Sequence, residues 1–135
     1  MSPSRFLIDT SGLVRILQRD TRAVWEDHLT AGIIAVCPVV ELEFLYSARS
    51  LADRLDKVAL LRQVFAWVPM ADHAYDRAAE VQAMLTRVGH HRSAGAVDLL
   101  IAATAERANL TILTDDRDFT SIAGVTGQPV LRVAG

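Results

Sequence analysis

The stretch Arg5-Phe6-Leu7-Ile8-Asp9-Thr10-Ser11-Gly12 sets the fold class. Phe6, Leu7 and Ile8 follow one another with no polar alternation, the pattern of a strand buried on both faces. The small polar residues after Asp9 predict a tight turn and then a helix at about 11–19. A strand covered on both faces belongs to a parallel sheet, and parallel neighbours need crossover helices. The remaining chain alternates accordingly. Ile33 to Cys37 reads as a second buried strand, with Pro38 at the first turn of a helix over 38–48. Trp67-Val68, Thr111-Ile112-Leu113-Thr114 and Val130 to Val133 read as further strands. Thr21 is the predicted cap of a helix carrying Val24, Trp25, His28 and Leu29, and Ser50 the cap of a long one through Phe65. Asp72 is the predicted cap of a helix at about 73–88 that Gly89 stops, and Ala96 to Arg107 is a strongly apolar helix. The expected class is α/β, a central parallel sheet with helices on both faces.

Length and composition narrow the function. At 135 residues and 14.8 kDa the chain predicts a single domain over 1–135. A hydrophobic share of 51% against 22% charged excludes disorder. The lone Cys37 excludes a disulfide framework or a four-thiolate metal site and suits a reducing, cytoplasmic setting. The N-terminus does not read as a signal peptide. The longest apolar run, Ala31 to Val40, is about half of the ~20 residues a membrane span needs. A net charge of −2 gives no global basic field, and Lys57 is the only lysine among fourteen basic residues.

The acids carry the chemistry. Parallel sheets place their sites beyond the carboxyl ends of the strands. Asp9 ends one predicted strand, and Asp115, Asp116 and Asp118 follow another. Taken alone, Asp9 reads better as the cap of the helix after it, and the later run could be a polar turn in which Asp118 caps a short helical turn. Asp98 is harder to explain blandly. Ile101 and Ala102 stand one turn from it, and an unpaired carboxylate among such neighbours costs several kcal/mol unless a cation answers it. Glu41 and Glu43 lie two apart on one helix and point to roughly opposite faces, so at most one reaches the sheet end. Carboxylates converging without His or Cys favour a hard cation, Mg²⁺ or Mn²⁺, and such a cation is equipped for phosphoryl transfer.

Four segments taken in order carry a resemblance. They are Leu7-Ile8-Asp9-Thr10-Ser11, Glu43-Phe44-Leu45-Tyr46-Ser47-Ala48, Val97-Asp98-Leu99-Leu100-Ile101-Ala102-Ala103-Thr104-Ala105 and Leu113-Thr114-Asp115-Asp116-Arg117-Asp118-Phe119. The chain resembles the PIN-domain ribonucleases, most closely the VapC toxins of bacterial toxin–antitoxin pairs, over essentially its whole length. The resemblance implies a PIN-like three-layer α/β/α domain and a Mg²⁺-dependent endoribonuclease, with Mn²⁺ as substitute. By position it makes Asp9, Glu43, Asp98 and Asp116 the catalytic acids, which decides the tie in favour of Glu43. It makes Asp9, Asp98, Asp116 and Asp118 the metal holders, and Thr10, Ser11 and Thr114 their supports. Ser47 stands where relatives often carry Gly, and Asp115 is an extra acid beside the motif.

The resemblance also implies partners: an RNA substrate, a VapB-type antitoxin, a homodimer and a toxin–antitoxin hetero-oligomer. The long helix carries a stripe at Leu51, Leu55, Val58, Leu61 and Phe65, with Leu60 and Val64 beside it, and the preceding helix adds Leu42, Leu45 and Tyr46. The residues alone leave open whether both helices are simply buried. The resemblance makes Leu42, Leu45, Tyr46, Leu51, Leu55 and Val58 an antitoxin groove.

Other classes fit less well. Aspartyl-phosphate enzymes need a lysine at a late strand end or a second Asp two residues after the first, where Ser11 stands here. A P-loop is absent. His90 and His91 are adjacent in one loop and cannot easily flank a phosphate, which leaves them surface or RNA-contact roles. A catalytically silent PIN-type interaction module is the non-enzymatic alternative, and it would be expected to have lost some of the acids retained here.

Overall fold

The apolar runs assemble into one sheet. In the computed structural model, which describes residues 4–134, the strands are β1 (Phe6–Ile8), β2 (Ile34–Val36), β3 (Ala66–Trp67), β4 (Thr111–Thr114) and β5 (Val130–Arg132). The helices are α1 (Thr10–Ile16), α2 (Arg19–Thr30), α3 (Pro38–Tyr46), α4 (Leu51–Val64), α5 (Ala74–Arg87), α6 (Ala96–Arg107) and α7 (Phe119–Thr126). Every strand pairing is parallel, in the order β3-β2-β1-β4-β5. Leu7 registers with Ala35 on one side and Ile112 on the other. Leu7, Ile8, Ile34, Ala35, Ile112 and Leu113 are wholly buried, as a sheet sandwiched between helical layers requires. The expected three-layer α/β/α architecture is the observed one. No helix among the described residues is long and apolar enough to cross a membrane.

The strand order positions the site. From β1 the chain moves outward through β2 to β3, then returns to place β4 on the other flank of β1 and β5 beyond it. The order reverses between β1 and β4, so a crevice opens at their carboxyl ends. Asp9 follows β1 there, and Asp115 and Asp116 follow β4.

Several boundaries differ from the sequence expectation. Thr21 does not cap α2: the helix begins at Arg19 with Gln18 as its cap residue, and Thr21 is buried in the first turn. Asp72 does not cap α5, because a left-handed His73 (φ 61°) intervenes and takes the cap position without a side-chain hydrogen bond. Ser50 does cap α4, accepting from the Asp53 amide. The α4 stripe is only half a core stripe: Leu61 and Phe65 are buried and Val58 half-buried, but Leu51 and Leu55 are 72% and 60% exposed. Leu45 is 5% exposed, buried beneath α3, and lines no surface groove. Phe119 is wholly buried and anchors α7 as a full helix after Asp118, longer than the short turn expected there.

Candidate active site

Asp9 is both a helix cap and the centre of a hydrogen-bonded cage. Its Oδ1 accepts the Gly12 amide at 2.7 Å, closing the first turn of α1. Ser11 Oγ reaches both carboxylate oxygens at 2.9 and 3.0 Å, and Thr114 Oγ1 donates to Oδ2 at 2.9 Å. The two hydroxyls also meet each other at 3.1 Å. The same pair fixes the end of β4, since the Asp115 amide donates to Ser11 Oγ and the Asp116 amide to Thr114 Oγ1, each at 3.1 Å. Ser11 and Thr114 therefore stitch the ends of β1 and β4 together, and Asp9 is locked in one orientation. Burial is the main reason its carboxyl is raised above the ordinary range, against the lowering effect of these hydrogen bonds; the charge of Asp116 adds to the rise.

Gly12 was legible only as part of a turn, yet the cage depends on it. A Cβ there would lie 2.7 Å from the Leu113 carbonyl oxygen and 2.9 Å from Ile8 Cγ1. Its absence lets α1 pass close enough over β1 and β4 for the Gly12 amide to meet Asp9.

Asp98 lies in the first turn of α6, where its Oδ2 accepts the Gly95 amide at 3.4 Å. The first-turn role and the cluster role coexist. Its carboxyl is pushed up to about 6, first by desolvation and then, against the Gly95 hydrogen bond, by the charges of Asp118, Asp9 and Asp116. Asp118 is likewise raised, by burial and then by Asp116, whose Oδ1 accepts the Asp118 amide at 2.7 Å. Asp9, Asp98, Asp116 and Asp118 thus feel one another across the crevice. Asp115 is turned to a structural task, with its amide on Ser11 and its carbonyl accepting Arg132 at 2.9 Å.

Glu43 and Glu41 separate as their spacing requires. Glu43 is exposed and its Oε1 accepts Thr10 Oγ1 at 2.5 Å, which ties α3 to the start of α1. Glu41 faces away and pairs with Arg62 at 2.8 Å, and the Arg62 guanidinium lies 4.7 Å from the centre of the Trp67 ring. Among the described residues no Arg, Lys or His forms an ion pair with Asp9, Asp98, Asp116 or Asp118. The negative charge gathered at the crevice is thus met by no ion pair among the described residues. Among the same residues no three His, Cys, Asp or Glu side chains already close a metal cage. The all-oxygen donor set and its mutual repulsion fit a hard divalent cation whose shell is completed in part by water.

A parallel α/β/α sandwich with carboxylates gathered where its strand order reverses defines the class. The PIN domain family model matches residues 6–125. Ribonuclease VapC2 of Mycobacterium tuberculosis (strain CDC 1551 / Oshkosh) is 36% identical over 98% of this chain and 95% of its own length. Ribonuclease VapC21 of the same species is 37% identical over 94% and 92%. Among solved structures, VapBC2 from Rickettsia felis bound to a promoter DNA fragment superposes with a TM-score of 0.77 at 19% identity, covering 94% of this chain and 97% of that one. VapBC-5 from Mycobacterium tuberculosis, a member of the VapBC family of toxin–antitoxin systems, gives 0.64 at 26% identity over 98% and 99%. The chain belongs to the PIN-domain family, in its VapC branch.

Proposed function

We propose that the chain is a metal-dependent endoribonuclease acting as the toxin of a toxin–antitoxin pair, with a VapB-type antitoxin as partner and cytoplasmic RNA as substrate. The observation that carries the reading is the set of carboxylates at the crevice, of which Asp9, Asp98 and Asp118 are raised in pKa, and which no cationic side chain among the described residues answers. The ribonuclease names of its relatives and the VapBC assemblies among its structural neighbours support it.

Asp9, Asp98, Asp116 and Asp118 would hold Mg²⁺, with Mn²⁺ as substitute. When bound, the cation would supply a water activated for in-line attack on an RNA phosphodiester. Around it, Ser11, Gly12 and Thr114 hold Asp9 in a fixed orientation, so no reorganisation is needed as charge develops. Thr10 occupies Glu43 Oε1 and leaves Oε2 to accept a hydrogen bond from water or a ribose hydroxyl. Attack by water rather than by the 2′-hydroxyl leaves 5′-phosphate and 3′-hydroxyl ends. The antitoxin would cover the exposed apolar residues Leu42, Tyr46, Leu51 and Leu55, with Val58 at their base. A homodimer is part of the same proposal.

The test is to sequence the RNA 5′ ends produced by wild type and by Asp9→Asn, with Mg²⁺ and with EDTA. Discrete 5′-phosphate ends with wild type and Mg²⁺ only are expected. Identical ends in all samples would reject the reading.

A further inference from the structure

We infer that the loop His90-His91-Arg92 is the landing site for the RNA strand entering the acidic crevice; this rests on the ribonuclease reading and identifies where its substrate is held. The net charge of −2 offers a polyanion no general attraction, and any of the four carboxylates not neutralised by a bound cation repels it. Binding therefore needs local cations at the rim of the crevice.

The α5–α6 connection supplies one, Arg92, together with two imidazole rings, at the required place. It runs from Arg87 at the end of α5 to Gly95, whose amide donates to Asp98 Oδ2, so the loop opens onto the carboxylates through a single hydrogen bond. Its backbone is built rather than slack. The His90 amide donates to the Leu85 carbonyl at 2.8 Å, the His90 carbonyl accepts Ser93 Oγ at 2.6 Å and the Ser93 amide at 3.1 Å, and Ala94 is buried. His90, His91 and Arg92 are exposed on this frame. Among the described residues none of the three enters an ion pair, so the Arg92 guanidinium is free to meet a phosphate. A guanidinium fork matches phosphate oxygens, and imidazole and guanidinium planes stack on unpaired bases. Two flat rings and a fork in succession suit a single-stranded segment beside the scissile phosphate.

The test replaces all three (His90→Ala, His91→Ala, Arg92→Ala) and measures steady-state cleavage of an RNA oligonucleotide that wild type cuts. Arg107→Ala, at the far end of α6, serves as control, and the melting shift produced by Mn²⁺ reports on the carboxylates. KM is expected to rise about tenfold with kcat within about twofold, and the salt dependence of kcat/KM to flatten by about one unit of slope per lost phosphate contact. The Mn²⁺ shift should equal that of wild type, and Arg107→Ala should leave KM unchanged. An unchanged KM in the triple variant overturns the inference. So does a raised KM accompanied by loss of the Mn²⁺ shift, which would mean that the loop only supports Asp98, and so does an equal effect of Arg107→Ala. Wild type that cuts no RNA at all rejects the ribonuclease reading itself, a result distinct from each of these.

Discussion

Thr114 Oγ1 donates to Asp9 Oδ2 across 2.9 Å, joining residues 105 positions apart in sequence. The same oxygen accepts the Asp116 amide, so one buried hydroxyl orients one carboxylate and fixes the backbone that carries another.

Thr114→Val keeps the shape and removes both bonds. Leaving a buried carboxylate oxygen and an amide short of partners costs about 1–3 kcal/mol. The variant should melt several degrees lower and cleave RNA more slowly. The loss in a Ser11→Ala, Thr114→Val double variant should differ from the sum of the single losses, because the hydroxyls share Asp9. Strict additivity in urea unfolding would contradict the shared cage.

Asp98→Asn should abolish cleavage with the fold intact. Without metal it should also change the pH dependence of stability. The folded-state pKa of Asp98 is about 6 against an ordinary 3.8, so its stabilising contribution is complete below about pH 4 and lost as pH rises through 6. Asp9 and Asp118 act in the same direction. In EDTA, the melting temperature of wild type should therefore fall relative to Asp98→Asn between pH 4 and 6.5. Parallel curves would refute this.

Divalent cation should reverse that penalty. A ligand binding only the folded state adds about 2.7 kcal/mol at a hundredfold excess over Kd. Millimolar Mg²⁺ or Mn²⁺ should raise the melting temperature at pH 7.5 and do so less at pH 5, where protons compete for Asp98. Calorimetric scans at both pH values measure it.

Glu43→Gln should cut activity severely, and Glu41→Gln should not. Glu41 is engaged by Arg62 on the other face of α3, and Gln keeps a side-chain oxygen that can accept from Arg62. The reverse ranking in a cleavage assay would overturn the face assignment.

Leu51→Asp with Leu55→Asp should leave circular dichroism unchanged, since both side chains are already in solvent. Binding of the antitoxin should weaken by at least tenfold. Wild-type affinity in a folded double variant would remove these residues from the interface.

Much of this was legible in the chain, and the exceptions have physical causes. Thr111–Thr114 forms β4 with the boundaries its sequence implies, because an apolar pair flanked by threonines and followed by acids has no competing helical pattern. The α4 stripe misleads because periodicity marks an apolar face without saying what covers it, and only its C-terminal half meets the core. Thr21 and Asp72 have the right chemistry for caps, but the preceding turn decides where a helix starts, and Gln18 and His73 take those places. Asp98 stood out because a carboxylate within a strongly apolar helix demands an explanation, whereas Asp9 did so only together with the other acids. The Ser11–Thr114 link and the close approach at Gly12 did not, because both depend on β1 lying next to β4, which no local pattern encodes.

The reversed strand order has a temporal consequence. β1 emerges about a hundred residues before its neighbour β4, which is completed only at Thr114. A growing chain can pair β1 with β2, and β2 with β3, while Asp9 still lacks its Thr114 partner and Asp116 and Asp118 have not been added. A chain interrupted before that point lacks Asp116, Asp118 and the Thr114 hydroxyl, so it cannot assemble the carboxylate set, and the order of synthesis itself delays the site's completion.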